Sequence, residues 1–187
     1  MNKHHLEFLA SPDWARWLES ETLPWVLGVA DLGDDVLEIG PGPGLTTDLL
    51  RERTPRLTAV ELDTDLADAL AQRLAGTNVE VINADATESG LPGDRFSAAA
   101  CFSMLHHVPS AALQDQVFTE VHRVLRAGGV FVVTDALDLD FIRDGHVDDV
   151  FTPVPPETLP DRLATAGFTD VVVDNTEFEL RFHAAKR

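Results

Sequence analysis

Three observations predict an α/β fold wound on both faces of a mostly parallel sheet. The stretch VLEIGPGPGLTTDLL, Val36 to Leu50, reads as a strand, a glycine turn and a helix. Two further apolar runs, LTAVEL and VEVINADAT, follow, with a helical stripe between them. The first of these runs ends in Glu61 and the second leads into Asp85, so acids gather where parallel strands deliver their carboxyl ends.

Each element has a local cause. Residues 1 to 34 precede the first strand and hold all three tryptophans, Trp14, Trp17 and Trp25. Trp14, Trp17 and Leu18 share a helical face, which predicts a helix packed over the sheet edge. Val36, Leu37 and Ile39 form an apolar, partly β-branched run suited to a strand covered on both faces. Gly40, Gly42 and Gly44 let the chain turn sharply and let a ligand approach where a Cβ would obstruct it. Leu45, Leu49 and Leu50 begin a helix that Pro55 stops. After the strand Leu57 to Leu62, Asp63 caps a helix carrying Leu66, Leu70 and Leu74, and Gly76 closes it. The third strand starts at Val79 and runs to Asp85 and Thr87. Near the end of the chain, Pro155 to Phe168 reads as a helix with Pro156 near its start and Gly167 at its close. VVVDNT and FELRFHA follow as strands.

The glycine spacing decides which ligand suits the turn. A dinucleotide fingerprint requires G-x-G-x-x-G, and its third glycine would fall on Leu45. The spacing is instead E-x-G-x-G-x-G, with Glu38 at the strand end. A carboxylate there suits a ligand without phosphates. Glu61 lies 21 residues beyond Gly40, where an acid accepts hydrogen bonds from ribose hydroxyls.

With these residues in place, the chain resembles the class I S-adenosylmethionine-dependent methyltransferases of the small, quinone-biosynthesis-like type 11 group. The resemblance is carried by VLEIGPGPG, VELDTDL, NADATESGLP, FSAAACFSMLHHV and VHRVLRAGGVFVVTD, in that order, from Val36 to Asp135. It implies a Rossmann-like, doubly wound, mostly parallel seven-stranded sheet with helices on both faces and an antiparallel final strand. It implies one domain over 1–187: a helical cap or lid (1–34), a cofactor-binding half (35–136), and a variable stretch, helix and last two strands (137–187). Gly40, Gly42 and Gly44 would approach the methionine part of S-adenosylmethionine, and Glu38 would help hold their loop. Glu61 would bind the ribose, with Leu62 against the adenine. Asp85 would accept from the adenine amino group, and the Ala86 amide would meet a ring nitrogen. Thr87 belongs to the same set. Ser103 would lie near the methionine carboxylate or the departing methyl.

Composition sets bounds. A 187-residue chain suits one domain with a full core. The formal charge is −18, with lysine only at Lys3 and Lys186. Such a chain is expected to avoid phosphate backbones and anionic bilayers, which excludes nucleic acid and membrane as partners. The single cysteine, Cys101, lies in an apolar strand and suits a core position in the cytoplasm.

Candidates for chemistry are few. His106 and His107 follow the fourth strand and are candidate general bases, although the resemblance favours a loop-fixing role for His107. Trp14, Trp17 and His107 are candidate substrate contacts. His4, His5, His146 and His183 read as structural. Asp135 to Val150 carries six aspartates, but the glycine and glutamate spacing of a calcium loop is missing, and no metal is expected. Base-methylating enzymes hold an Asn-Pro-Pro-aromatic or Asp-Pro-Pro-aromatic run where this chain has FSMLHHVP. The reading is methyl transfer to a small-molecule acceptor by proximity and orientation, with S-adenosylhomocysteine as product. The alternative is a non-catalytic sensor or partner subunit that binds the cofactor. Oligomeric state, acceptor identity and acceptor atom stay open.

Overall fold

The computed structural model describes residues 7–187, so His4 and His5 lie outside the described residues. Seven strands form one sheet in the order β3-β2-β1-β4-β5-β7-β6. They are β1 (Asp35–Ile39), β2 (Arg56–Glu61), β3 (Val79–Asn83), β4 (Phe96–Phe102), β5 (Leu125–Ala136), β6 (Thr169–Val173) and β7 (Glu179–Ala185). β1 to β5 pair in parallel, and β7 runs antiparallel to both β5 and β6. The winding reverses between β1 and β4, which opens a crevice at their carboxyl ends.

Alternation along the central strands builds two cores. Leu37, Ile39, Ala99, Cys101, Phe131 and Val133 face one side of the sheet, and Val36, Ala98, Ala100 and Val132 face the other. On the first side lie α5 (Ala111–Val124) and α7 (Leu159–Thr165). Val117, Phe118, Val121 and Val124 of α5 are fully buried. Each contributes about 1.5–3 kcal/mol, whereas a surface helix pair such as Arg123–Glu120 contributes a few tenths. Burial of one face therefore holds this helix in place. On the second side, Val26 and Leu50 belong to the packed cluster.

Capping follows the sequence. Asp63 accepts from the amides of Asp65 and Leu66 at the start of α4 (Thr64–Arg73), and Ser110 accepts from Leu113 at the start of α5. The helix expected over Pro155 to Phe168 divides into a 3-10 turn, Pro156–Thr158, and α7. Pro160 sits at the start of α7, where its missing N–H costs nothing.

The amino-terminal segment is helical from Pro12 to Val29, with α1 (Pro12–Trp17), a π-helical turn (Leu18–Thr22) and α2 (Leu23–Val29) in succession. The Leu23 amide donates to the Leu18 carbonyl, five residues back. Pro24 is the cause: its ring would crowd the carbonyl four residues earlier, and the wider turn makes room for it. The helix after β1, α3 (Leu45–Leu50), ends before Pro55, with Arg51 at its carboxyl cap. Two short elements complete the fold near the crevice: a 3-10 turn, Leu105–His107, and α6 (Asp140–Gly145).

Candidate functional site

The loop between β1 and α3 carries three glycines with positive φ: Gly40 at 65°, Gly42 at 54° and Gly44 at 87°. They do different work. A Cβ on Gly40 would lie 2.2 Å from Met104 Cγ, so glycine lets the loop pass beside the turn that follows β4. A Cβ on Gly42 would meet nothing within 4 Å, because that residue borders open cavity. Gly44 caps α3 and packs on Leu70 and Arg73, outside the cavity lining.

Glu61, at the end of β2, is the keystone of this corner. It is 8% exposed. Its Oε2 accepts the Gly42 amide and its Oε1 accepts the Asp63 amide, both at 3.0 Å. One carboxylate thus ties the glycine loop to the start of α4. Asn83 fixes the same strand end by donating to the Glu61 and Leu62 carbonyls at 2.9 and 3.0 Å. Asp85 is exposed and accepts both the amide and the hydroxyl of Thr87, at 2.8 and 2.7 Å. Gly42, Glu61, Leu62, Asp85, Ala86 and Thr87 all line a cavity of about 380 Å³ at the sheet's switch point. Ser103, held at φ 50° with its amide donating to the Thr134 carbonyl at 2.8 Å, lines it too. Among the described residues, no lysine or arginine lines this cavity. Its carboxylate acceptors and backbone amides suit a nucleoside that bears a cation, whereas Glu61 and Asp85 would repel a pyrophosphate that no cationic side chain offsets.

Glu38 stands apart from that set. It is 1% exposed, lies beneath the loop and accepts from the Thr46 hydroxyl. Glu61 thus bonds the glycine loop at Gly42, while Glu38 reaches Thr46 just past it. Burial pushes the Glu38 carboxyl up to about 7, helped by the nearby charges of Asp48 and Glu61 and opposed by the hydroxyls of Thr46 and Thr47. The folded state holds this proton more tightly than the unfolded chain. The resulting penalty is absent below about 4.5, grows as pH rises towards 7, and is constant above. Its full size is about 3 kcal/mol. Glu38→Gln is expected to leave stability unchanged at pH 4 and to raise the melting temperature at pH 8 by about 5–10 °C. Thermal denaturation at both pH values checks this.

A second cavity of about 880 Å³ adjoins the first, and Leu9, Trp14 and Ser103 line both. Trp17, Phe141 and Phe178 contribute apolar wall to the second. Phe8 packs on Trp14 at 5.4 Å and Phe141 on Phe178 at 6.3 Å between ring centroids. Glu179 faces this chamber, paired with Arg181 at 2.6 Å. The tryptophans therefore separate. Trp14 and Trp17 face the chamber, whereas Trp25 donates to Asp174 at 3.3 Å and lies against Arg181.

The histidines are brought together more tightly than their sequence positions suggest. His106 is 1% exposed, and its Nδ1 lies 2.5 Å from Asp135 Oδ1. The His106 amide donates to Asp135 Oδ2 at 3.0 Å. His107 lines the smaller cavity, with its Nδ1 3.2 Å from the Val150 carbonyl. His146 sits against both, with ring centroids 4.9 Å from His106 and 5.4 Å from His107. Burial pushes the His146 imidazole down, towards its neutral form. Reading His146 as a structural residue of a variable stretch missed this convergence. The only sequence signal for it was histidine recurring near the fourth and fifth strand ends.

Three comparisons with known proteins bear on this geometry. A family model described as "Methyltransferase domain" matches residues 37–133, just over half the chain. A probable S-adenosylmethionine-dependent methyltransferase of Mycolicibacterium smegmatis is 32% identical over 139 residues, covering 73% of this chain and 52% of that protein. A probable ribosomal RNA small subunit methyltransferase A of Methanopyrus kandleri is 38% identical over 80 residues, covering 41% of this chain and 29% of the relative. Other ribosomal RNA methyltransferases match similarly. The chain spans about a fifth to a half of the length of these curated relatives. Among solved structures, phosphoethanolamine N-methyltransferase 2 of Haemonchus contortus, in complex with S-adenosyl-L-methionine, aligns with a TM-score of 0.75 at 15% identity. That alignment covers 91% of this chain and 52% of the other.

The ribosomal RNA relatives correct one expectation. Net charge of −18 had excluded nucleic acid as a partner, yet several relatives take their names from methylating it. Net charge is a sum over the whole surface, and phosphate recognition needs only a local cluster of cations. Among the described residues, no helix is long and apolar enough to cross a membrane.

Proposed function

Because the chain belongs to the class I S-adenosylmethionine-dependent methyltransferases of the type 11 group, we propose that it methylates a small-molecule acceptor seated in the apolar chamber. One observation carries this reading: the cavity lined by Gly42, Glu61 and Asp85 shares Leu9, Trp14 and Ser103 with a second and larger cavity walled by aromatic side chains.

The residues present fit the cofactor. Glu61 and Asp85 offer carboxylates to its hydroxyl and amino groups, Leu62 offers an apolar face, and Gly42 leaves its backbone open to close approach. Bound S-adenosylmethionine supplies an activated sulphonium methyl and leaves as S-adenosylhomocysteine. The chain's own work is to position. Ser103 and Trp14 border both cavities, and Trp17 lines the larger one, so an acceptor there is oriented against aromatic walls. Orientation of this kind lowers a barrier by roughly 7–11 kcal/mol. The buried thiol of Cys101 supports a cytoplasmic location.

The test is methyl transfer from isotopically labelled S-adenosylmethionine. The acceptors are a panel of small apolar alcohols, phenols, amines and thiols, run beside ribosomal RNA. Turnover of at least one small acceptor, weakened ten-fold or more by Trp14→Ala, is expected. Label transferred to RNA alone would overturn the small-molecule reading. Cofactor binding without any transfer would favour a sensor or partner subunit.

A further inference from the structure

His106, His107 and His146 bring one ring nitrogen each to within 4.8 Å of one another. Two of them lie on the 3-10 turn after β4 and the third follows α6, so the loop must fold back to complete the group. Each ring is anchored at Nδ1: His106 by Asp135 at 2.5 Å, His107 by the Val150 carbonyl at 3.2 Å, and His146 by the Ile142 carbonyl at 2.7 Å. Backbone carbonyls only accept, and an ionised carboxylate only accepts. The proton of each neutral ring therefore sits on Nδ1, and Nε2 carries the lone pair. All three Nε2 atoms are buried. The ring of Phe151 shields the group, 4.5 Å from His146 and 5.6 Å from His106 between centroids.

We propose that this trio is a metal site, and that the ion it takes is zinc or a similar borderline divalent cation. Three features point there. Neutral imidazole is the ligand such ions prefer. Anchoring of Nδ1 by carboxylate or carbonyl fixes the tautomer and ring direction that a ligating histidine needs. Three histidines also leave one position of a tetrahedral ion for substrate or water. Zinc–nitrogen bonds of about 2.0–2.1 Å place tetrahedral ligands roughly 3.4 Å apart, so side-chain rotations of about an ångström close the site. The six aspartates of the Asp135 to Val150 stretch are not its ligands. Two of them stand behind the rings instead: Asp135 anchors His106, and Asp149 Oδ1 lies 3.9 Å from His107 Nδ1.

The location gives the ion a task, and this part rests on the methyl-transfer reading. His107 lines the smaller cavity, while His106 and His146 line the larger, so the ion lies at their seam. An acceptor hydroxyl or thiol bound to it releases its proton to solvent more readily. The acceptor lone pair then forms the new bond to carbon as the carbon–sulphur bond breaks, and that electron pair returns to sulphur. No protein base is required.

The test begins with the whole chain, stripped with a chelator and titrated with zinc chloride by calorimetry. Cobalt(II) is added in parallel, to read the visible absorption of a tetrahedral site. One equivalent of zinc per chain is expected, with intense cobalt bands. His146→Gln and His107→Gln are expected to weaken zinc at least 100-fold. S-adenosylhomocysteine binding to His146→Gln, measured in the same instrument, shows that this variant is folded. Absence of stoichiometric zinc, or zinc affinity unchanged in both variants, overturns the site. Zinc binding with no S-adenosylhomocysteine binding to the parent would instead reject the cofactor reading and leave the metal site standing.

Discussion

Glu61→Ala is expected to weaken binding of S-adenosylhomocysteine by about 100-fold, measured by calorimetry. Two effects add. The first is loss of a charged acceptor facing the cavity, where a hydrogen bond to an ionised group contributes about 1.5–3 kcal/mol. The second is loss of the tie between loops. Glu61 holds the Gly42 amide on one side and the Asp63 amide on the other, so the variant frees the glycine turn from the start of α4. Binding must then order that loop anew, at an entropic cost of about 1–2 kcal/mol for each residue fixed. Glu61→Gln retains an oxygen acceptor but not the charge, and is expected to fall between parent and alanine variant. Equal affinity in all three proteins would move the nucleoside site elsewhere.

The largest loss of stability is expected from Asp135→Ala. The Asp135 side chain is fully buried and bonds His106 twice, through the ring Nδ1 and the backbone amide. Truncation leaves two buried donors of His106 without that acceptor and opens a void between β5 and the 3-10 turn. Each buried donor left unsatisfied costs about 1–3 kcal/mol, against a total stability of about 5–15 kcal/mol for a typical domain. A fall in melting temperature of about 10 °C is expected at pH 7. Asp135→Asn keeps an acceptor for one of the two donors and should lose about half as much. A loss below 1 kcal/mol for the alanine variant would show that the pair is incidental.

Much of the fold was legible because its signals are local. The strand-turn-helix at Val36 to Leu50 announces itself through apolar continuity and glycine spacing. Glu61 and Asp85 stand near strand ends, where parallel topology sends them to one crevice. Local signals also misled where two residues share a type but differ in surroundings. Glu38 and Glu61 are both strand-end acids, yet one lies beneath the loop and the other beside the cavity. Gly42 and Gly44 are both turn glycines, yet only Gly42 borders open space. The His106, His107 and His146 group was illegible because it depends on a loop returning across many residues, and no periodicity encodes a return. Net charge misled about partners because it carries no information on where charges sit.

The π-helical turn in the amino-terminal helix has a geometric consequence of its own. An α-helix advances about 100° per residue, so one extra residue in a turn rotates everything before it by about that angle relative to everything after it. The widened turn at Leu18–Thr22 acts as a phase shifter: it lets the leading half point Trp14 and Trp17 at the chamber while the trailing half keeps Val26 seated in the core. The orientation of the aromatic roof is thus governed by a backbone irregularity that begins next to Trp17, and a family member could repoint that roof by gaining or losing a single residue.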